Sequence, residues 1–144
     1  MTARLLVLGD NHGDTESLRR VLDDVEGESF DYVVHVGDFT KAYRTAKQTG
    51  NEATGKERGV KELRKVEPVL KELDSLATHG LVWVYGNQDY FGDLDYDLSV
   101  GTEIPDDGIA TVGGLRFTNS LDHVERDVVL VTHMEFWRLA DHFE

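Results

Sequence analysis

Leu5-Leu6-Val7-Leu8-Gly9-Asp10-Asn11-His12 is the stretch from which the rest of the chain can be read. Four apolar residues in a row, with no polar alternation, are the pattern of a strand buried on both faces of a parallel sheet. The run stops at a glycine and passes directly into residues with metal-ligand chemistry. The same order returns three times. Tyr32-Val33-Val34-His35-Val36 ends in Gly37-Asp38, Leu81-Val82-Trp83-Val84-Tyr85 ends in Gly86-Asn87-Gln88-Asp89, and Val128-Val129-Leu130-Val131 ends in Thr132-His133. In an open α/β sheet, ligands gather outside the carboxyl ends of the strands. The repetition therefore predicts that Asp10, His12, Asp38, Asn87 and His133 reach one rim.

Between these runs the chain reads as helices. Asp14 or Thr15 can cap a helix that carries Leu18, Val21, Leu22 and Val25 on one face and ends at Gly27. The polar stretch 40–59, with Gly50, Asn51 and Gly55, has no clear period and predicts a loop or lid. Residues 60–78 place Val60, Leu63, Val66, Leu70, Leu73 and Leu76 at helical spacing. Pro68 inside this run predicts a kink or two abutting helices, and Gly80 supplies the stop. The resulting β-α-β-α-β order implies a parallel sheet with right-handed crossovers. Beyond Asp89 the chain turns acidic and rich in turn residues up to Gly108. Two short strands, 109–112 and 115–118, are joined by Gly113-Gly114, a hairpin signal. A last strand over 128–132 and a short helix over 134–143 complete the expectation of one domain over 1–144.

Composition narrows the function classes. The 144 residues carry 28 acidic and 15 basic side chains, a net charge of −13, which argues against nonspecific nucleic-acid binding. Only six residues are lysine. So acidic a surface repels itself at low salt and is relieved by screening; the expectation is a salt-loving source, with a melting temperature that rises in molar KCl, the alternative being an ordinary acidic cytosolic protein. There are no cysteines, which excludes disulfides and thiolate metal sites. No apolar run approaches the ~20 residues needed to cross a bilayer. No signal peptide is evident, and the expected location is the cytosol.

The donors themselves suit a hard or borderline metal. Asp10 and His12, one residue apart on an extended segment, would point to the same side and converge on one ion. Asp38 could bridge two ions with its two oxygens, Asn87 offers a neutral carbonyl oxygen and His133 an imidazole nitrogen. A mixed nitrogen and oxygen set without sulfur fits Mn²⁺, Fe²⁺, Zn²⁺ or Ni²⁺. Taken singly, Asp10 and Asp38 read as helix caps, Asn87 as a turn residue, His133 as a buried histidine and Asp89 as a support for Asn87 or a cap for the turn that follows. Only the ordered set at four strand ends favours metal chemistry.

That set resembles the calcineurin-like metallophosphoesterase superfamily, and within it the small prokaryotic phosphodiesterase branch. The family pattern is Asp-x-His, Gly-Asp, Gly-Asn-x-Asp or Gly-Asn-His, a lone His, then Gly-His-x-His. Here Asp10-Asn11-His12, Gly37-Asp38, Gly86-Asn87-Gln88-Asp89 and Thr132-His133 follow in that order. The resemblance implies a four-layer α-β-β-α sandwich with a two-metal site on its rim, most often loaded with Mn²⁺. It places Asp10, His12 and Asp38 on the first ion and Asp38, Asn87 and His133 on the second, with Asn87, Asp89 and His133 as the catalytic set. It further implies hydrolysis of a phosphate mono- or diester by a water bridging two ions about 3.5–4 Å apart.

Two departures stand out. Gln88 occupies the position where many relatives carry a histidine able to protonate the leaving group. The Gly-His-x-His motif has no counterpart, and His142 is the sole histidine after His133. The second sheet is accordingly expected to be short of strands, with an exposed edge that a second copy of the chain could cover. The competing expectation is a noncatalytic scaffold on the same fold, or a shortened form with a degraded site. A nucleotide-binding α/β domain is disfavoured because no phosphate-binding glycine loop follows the first strand. Tyr90, Phe91 and Tyr96 could contact a substrate or pack on the rim. Lys41, Arg44 and Lys47 could steer a phosphate or stand as solvated charges. His35 is expected to pack in the core, with no part in function.

Overall fold

A computed structural model describes residues 2–133. Its first sheet contains β1 (Leu5–Leu8), β2 (Tyr32–His35), β3 (Leu81–Trp83) and β4 (Thr102–Glu103), in that spatial order and all parallel. The second contains β5 (Ile109–Val112), β6 (Leu115–Thr118) and β7 (Val128–Leu130), with β5 antiparallel and β7 parallel to β6. Among the described residues three α-helices accompany them: α1 (Thr15–Asp24), α2 (Ala42–Thr49) and α3 (Glu52–Ser75). The result is the expected α/β architecture, two sheets with helices packed on them, and the second sheet has three strands among the described residues. The helix expected over 134–143, with His142, lies outside the described residues.

Strand alternation sorts the core into two layers. Val33, Leu81 and Trp83 face the helices and pack with Leu63, Val66, Leu70 and Leu73 of α3. Tyr32, Val34, Val82 and Val84 face the other way and meet Phe117 of β6 and Val131, just past β7. The Tyr32 hydroxyl crosses between the sheets to donate to the Val112 carbonyl at 2.6 Å. Asp14 caps α1, its carboxylate accepting from the Glu16 and Ser17 N–H groups.

The loop or lid expected over 40–59 is instead a helical hairpin. The glycines that broke the apolar period are its packing surface. A Cβ at Gly55 would lie 2.7 Å from the Ala46 backbone nitrogen and 2.5 Å from the Ala42 carbonyl oxygen, and one at Gly59 would lie 2.7 Å from the Ala42 Cβ. Small residues one helical turn apart let α2 and α3 approach along their backbones. Asn51, read as a loop residue, is the N-cap of α3 and accepts from Thr54 N–H. The helix runs through Pro68 without dividing in two. β4, two residues long, was not expected in the acidic stretch after Asp89. Among the described residues no helix is long and apolar enough to cross a membrane.

Candidate metal centre

Past the ends of β1 and β2 the two segments stay zipped together. Asp10 N–H donates to the Gly37 carbonyl (2.9 Å), His12 N–H to the Asp38 carbonyl (3.0 Å) and Gly13 N–H to the Phe39 carbonyl (2.6 Å). The segment is not extended, as the one-residue spacing of Asp10 and His12 had suggested. Asp10, His12 and Asp38 take φ values of 55°, 49° and 59°. Non-glycine residues seldom adopt this left-handed region, and when they do the site often has a use for the strain. The coiled loop, rather than strand alternation, brings the side chains together: one ligand atom from each of Asp10, His12 and Asp38 lies within 4.8 Å of the others. These three could hold a metal ion.

The third loop closes over the second with two glycines in contact. A Cβ at Gly37, whose φ is 101°, would meet the Gly86 nitrogen at 2.7 Å, and a Cβ at Gly86 would meet Asp38 Oδ1 at 2.1 Å. The approach lets Gln88 N–H donate to Asp38 Oδ1 at 2.9 Å. Asp38 Oδ2 then lies 3.3 Å from His12 Nε2 and 3.1 Å from His133 Nε2. His133 Nε2 is also 3.0 Å from Asn87 Oδ1. His12 and His133 thus converge on the Asp38 carboxylate, Asn87 joins through His133, and Asp10 clusters with His12 and Asp38.

The electrostatics follow from this crowding. His133 Nδ1 faces the Val36 carbonyl at 2.8 Å, an acceptor only, so Nδ1 carries a proton. Its Nε2 faces two further acceptors, and the adjoining Asp38 carboxylate raises the ring to about 9 against the effect of burial. Burial pushes Asp38 up, but hydrogen bonds from His133, Gln88 N–H and His12 outweigh it and hold the carboxyl below its usual range. Two carboxylates and an amide oxygen around two imidazoles form a donor set richer in acceptors than in protons. That is the character of a cation site, and it fits a divalent metal of the borderline class.

Asp89, expected in the catalytic set, faces backbone N–H groups. It is fully buried, and its carboxylate accepts from the N–H groups of Phe39 (3.1 Å), Thr40 (2.8 Å) and Gly86 (3.0 Å). Burial pushes the carboxyl up to about 6, with these bonds opposing the shift. Asp89 thereby clamps the loop that carries Asp38 to the loop that carries Asn87. Gln88 Oε1 accepts from Arg44 N–H at 2.9 Å, in the first turn of α2.

Two contributors were missed in the sequence. His35 is fully buried, stacked on Phe39 with ring centroids 3.9 Å apart. It accepts from Gly37 N–H through Nδ1 and so donates from Nε2 to Asn11 Oδ1 at 2.8 Å. Asn11 in turn donates to the Phe39 carbonyl. The pair holds the turn between Asp10 and His12. The sequence signal was present: a polar residue between two ligands, and a histidine inside an apolar run. Glu62 of α3 is the second. Buried beside Gly13, it accepts from Lys41 N–H at 3.1 Å. Tyr90 and Phe91 continue the third loop in the left-handed region, with Phe91 61% exposed.

No curated protein matches the chain significantly. The sequence model of the calcineurin-like phosphoesterase family matches residues 3–142. With that span, which takes in the zipped loops and the acceptor-rich centre just described, the chain belongs to the calcineurin-like phosphoesterase family.

Proposed function

We propose that the protein hydrolyses a phosphate mono- or diester with the help of two divalent ions, Mn²⁺ being the first to test. Asp10, His12 and Asp38 would hold one ion, and Asp38, Asn87 and His133 the other. Bound there, such ions polarise a phosphoryl oxygen and make water a nucleophile at neutral pH. The observation that carries the reading is the Asp38 Oδ2 atom, which faces His12 at 3.3 Å and His133 at 3.1 Å. One carboxylate thus connects the two halves of the donor set. The other oxygen is fixed by Gln88 N–H, so the carboxylate is oriented before any ligand arrives. Val36 fixes the His133 ring through Nδ1, which directs Nε2 into the centre. Asp89 is assigned a positioning role, because its carboxylate is taken up by three backbone N–H groups.

The test is hydrolysis of p-nitrophenyl phosphate and bis(p-nitrophenyl) phosphate by Mn²⁺-loaded protein, with metal stoichiometry measured per chain. Two ions and turnover of either ester that is lost in Asp38→Ala support the reading. Turnover that survives in Asp38→Ala removes it. A second reading, a noncatalytic scaffold, is favoured by Gln88, which is not ionisable and whose side-chain oxygen is bound to Arg44 N–H. Metal binding without turnover of either ester would decide for that alternative.

A further inference from the structure

The α2–α3 hairpin carries a charge opposite to the rest of the protein. Residues 41–71 contain all six lysines of the chain and, with Arg44, Arg58 and Arg64, nine basic against four acidic residues, a net +5. The whole chain is −13, so the remainder is −18. Such segregation creates a local positive field in a protein that otherwise repels anions.

The field has a place to act. A cavity of about 560 Å³ runs from His12 of the candidate centre along the hairpin, and Lys41, Arg58, Lys61 and Lys65 line it. Positions 58, 61 and 65 recur at helical spacing, so α3 presents them on one face. Three carboxylates also line the cavity. Asp14 is engaged by the Glu16 and Ser17 N–H groups. Glu62 is buried, accepts from Lys41 N–H and stands 3.8 Å from Arg58. Only Glu57 is exposed without such a bond. Among the described residues the hairpin's lysine ion pairs are made by Lys56 and Lys71, outside this cavity.

We propose that this groove is a subsite for a second phosphate, so that the preferred substrate is a small phosphoester with a further phosphate beyond the one cleaved. The assignment rests on the phosphoesterase reading above and narrows its substrate class. The cavity has the volume of a small-molecule site. The −18 carried by the remainder of the chain disfavours a long polyanion such as a nucleic-acid strand.

The first test is calorimetric titration of pyrophosphate into protein freed of divalent metal, at fixed low ionic strength. Lys61→Gln/Lys65→Gln is expected to weaken binding roughly tenfold, while Lys71→Gln, a lysine of α3 outside the cavity, leaves it unchanged; melting curves check that each variant is folded. In Mn²⁺-loaded protein, the kcat/KM preference for a nucleoside 3′,5′-bisphosphate over the 5′-monophosphate should fall in the same double variant. No pyrophosphate binding, equal weakening by Lys71→Gln, or preferential binding of a single-stranded oligonucleotide would each overturn the subsite. Turnover of p-nitrophenyl phosphate and bis(p-nitrophenyl) phosphate reports separately on the hydrolase reading. Failure to turn over either ester, with lysine-dependent pyrophosphate binding present, sinks the hydrolase and leaves the anion site.

Discussion

His133 donates its Nδ1 proton to the Val36 carbonyl across 2.8 Å. The bond joins residues 97 apart in sequence and ties the end of the second sheet to the end of β2. It fixes the ring so that Nε2 meets Asn87 and Asp38. If this orientation serves a metal, His133→Ala should cost about one bound Mn²⁺ per chain and at least roughly a hundredfold in ester turnover. Elemental analysis of the desalted protein, beside an activity assay, checks both. Full stoichiometry in the variant would remove His133 from the ligand set.

The close approach of Gly86 to Asp38 gives a steric test of the same centre. Gly86 has a φ of −103°, open to any residue, so strain at that torsion does not enter. An added Cβ would lie 2.1 Å from Asp38 Oδ1 and must push the carboxylate away. Gly86→Ala is expected to lower Mn²⁺ affinity at least tenfold and to destabilise the fold by about 1–3 kcal/mol. Metal titration and urea unfolding measure the two effects.

Asp89 should matter for stability as well as for the centre. Asp89→Ala leaves three backbone N–H groups in a buried site without their acceptor. The expected loss is at least about 3 kcal/mol, read by urea unfolding of metal-free protein. A loss within 0.5 kcal/mol, the range of about ±0.5 common for surface changes, would contradict the clamp.

The helical hairpin depends on the absence of side chains at its crossing. Gly59→Leu would drive a branched side chain into Ala42 and Leu94, at a cost of about 1–3 kcal/mol or more. Gly50→Ala, where no atom lies within 4 Å but φ is 66°, should cost about 1 kcal/mol from backbone strain alone. Thermal melts of the two variants separate crowding from conformation.

His35 gives a pH dependence. Complete burial, opposed in part by the Asp38 charge, lowers its pKa to about 3, and Gly37 N–H occupies the nitrogen that a second proton would need. In the unfolded chain the ring titrates near 6.5. Between these values the unfolded state binds the extra proton and the native state does not. Stability therefore falls as pH drops from about 6.5 towards 3, by on the order of 4–5 kcal/mol. The readout is the difference between wild type and His35→Gln in urea unfolding across that window. Parallel curves would mean that His35 is not held neutral.

The parts of the fold legible in the sequence were those where one physical signal dominated. Continuous apolar runs marked β1, β2 and β3, and Gly113-Gly114, both with positive φ, marked the β5–β6 turn. Gly55 and Gly59 misled because glycine is a poor helix former, and nothing local reveals that Ala42 and Ala46 wait opposite. β4 was invisible for another reason: Thr102 and Glu103 are held by backbone pairing to Val82 and Trp83, which has no apolar signature. At the centre, residue types and their order located Asp10, His12, Asp38, Asn87 and His133 near one rim. Asp89 shows where that reasoning stops. In the sequence a carboxylate facing backbone N–H groups looks the same as one facing a metal.

The Gln88 contact with Arg44 N–H, together with Thr40 donating to the Gln88 carbonyl, makes the start of α2 and the Asn87 loop mutually dependent. Neither can fray without releasing the other's hydrogen bonds. The hairpin and this side of the centre should therefore open as one cooperative unit, their amides exchanging with solvent at a common free energy. An occupant of the groove would then report its presence to Asn87 by slowing that shared opening, with no displacement of the resting structure.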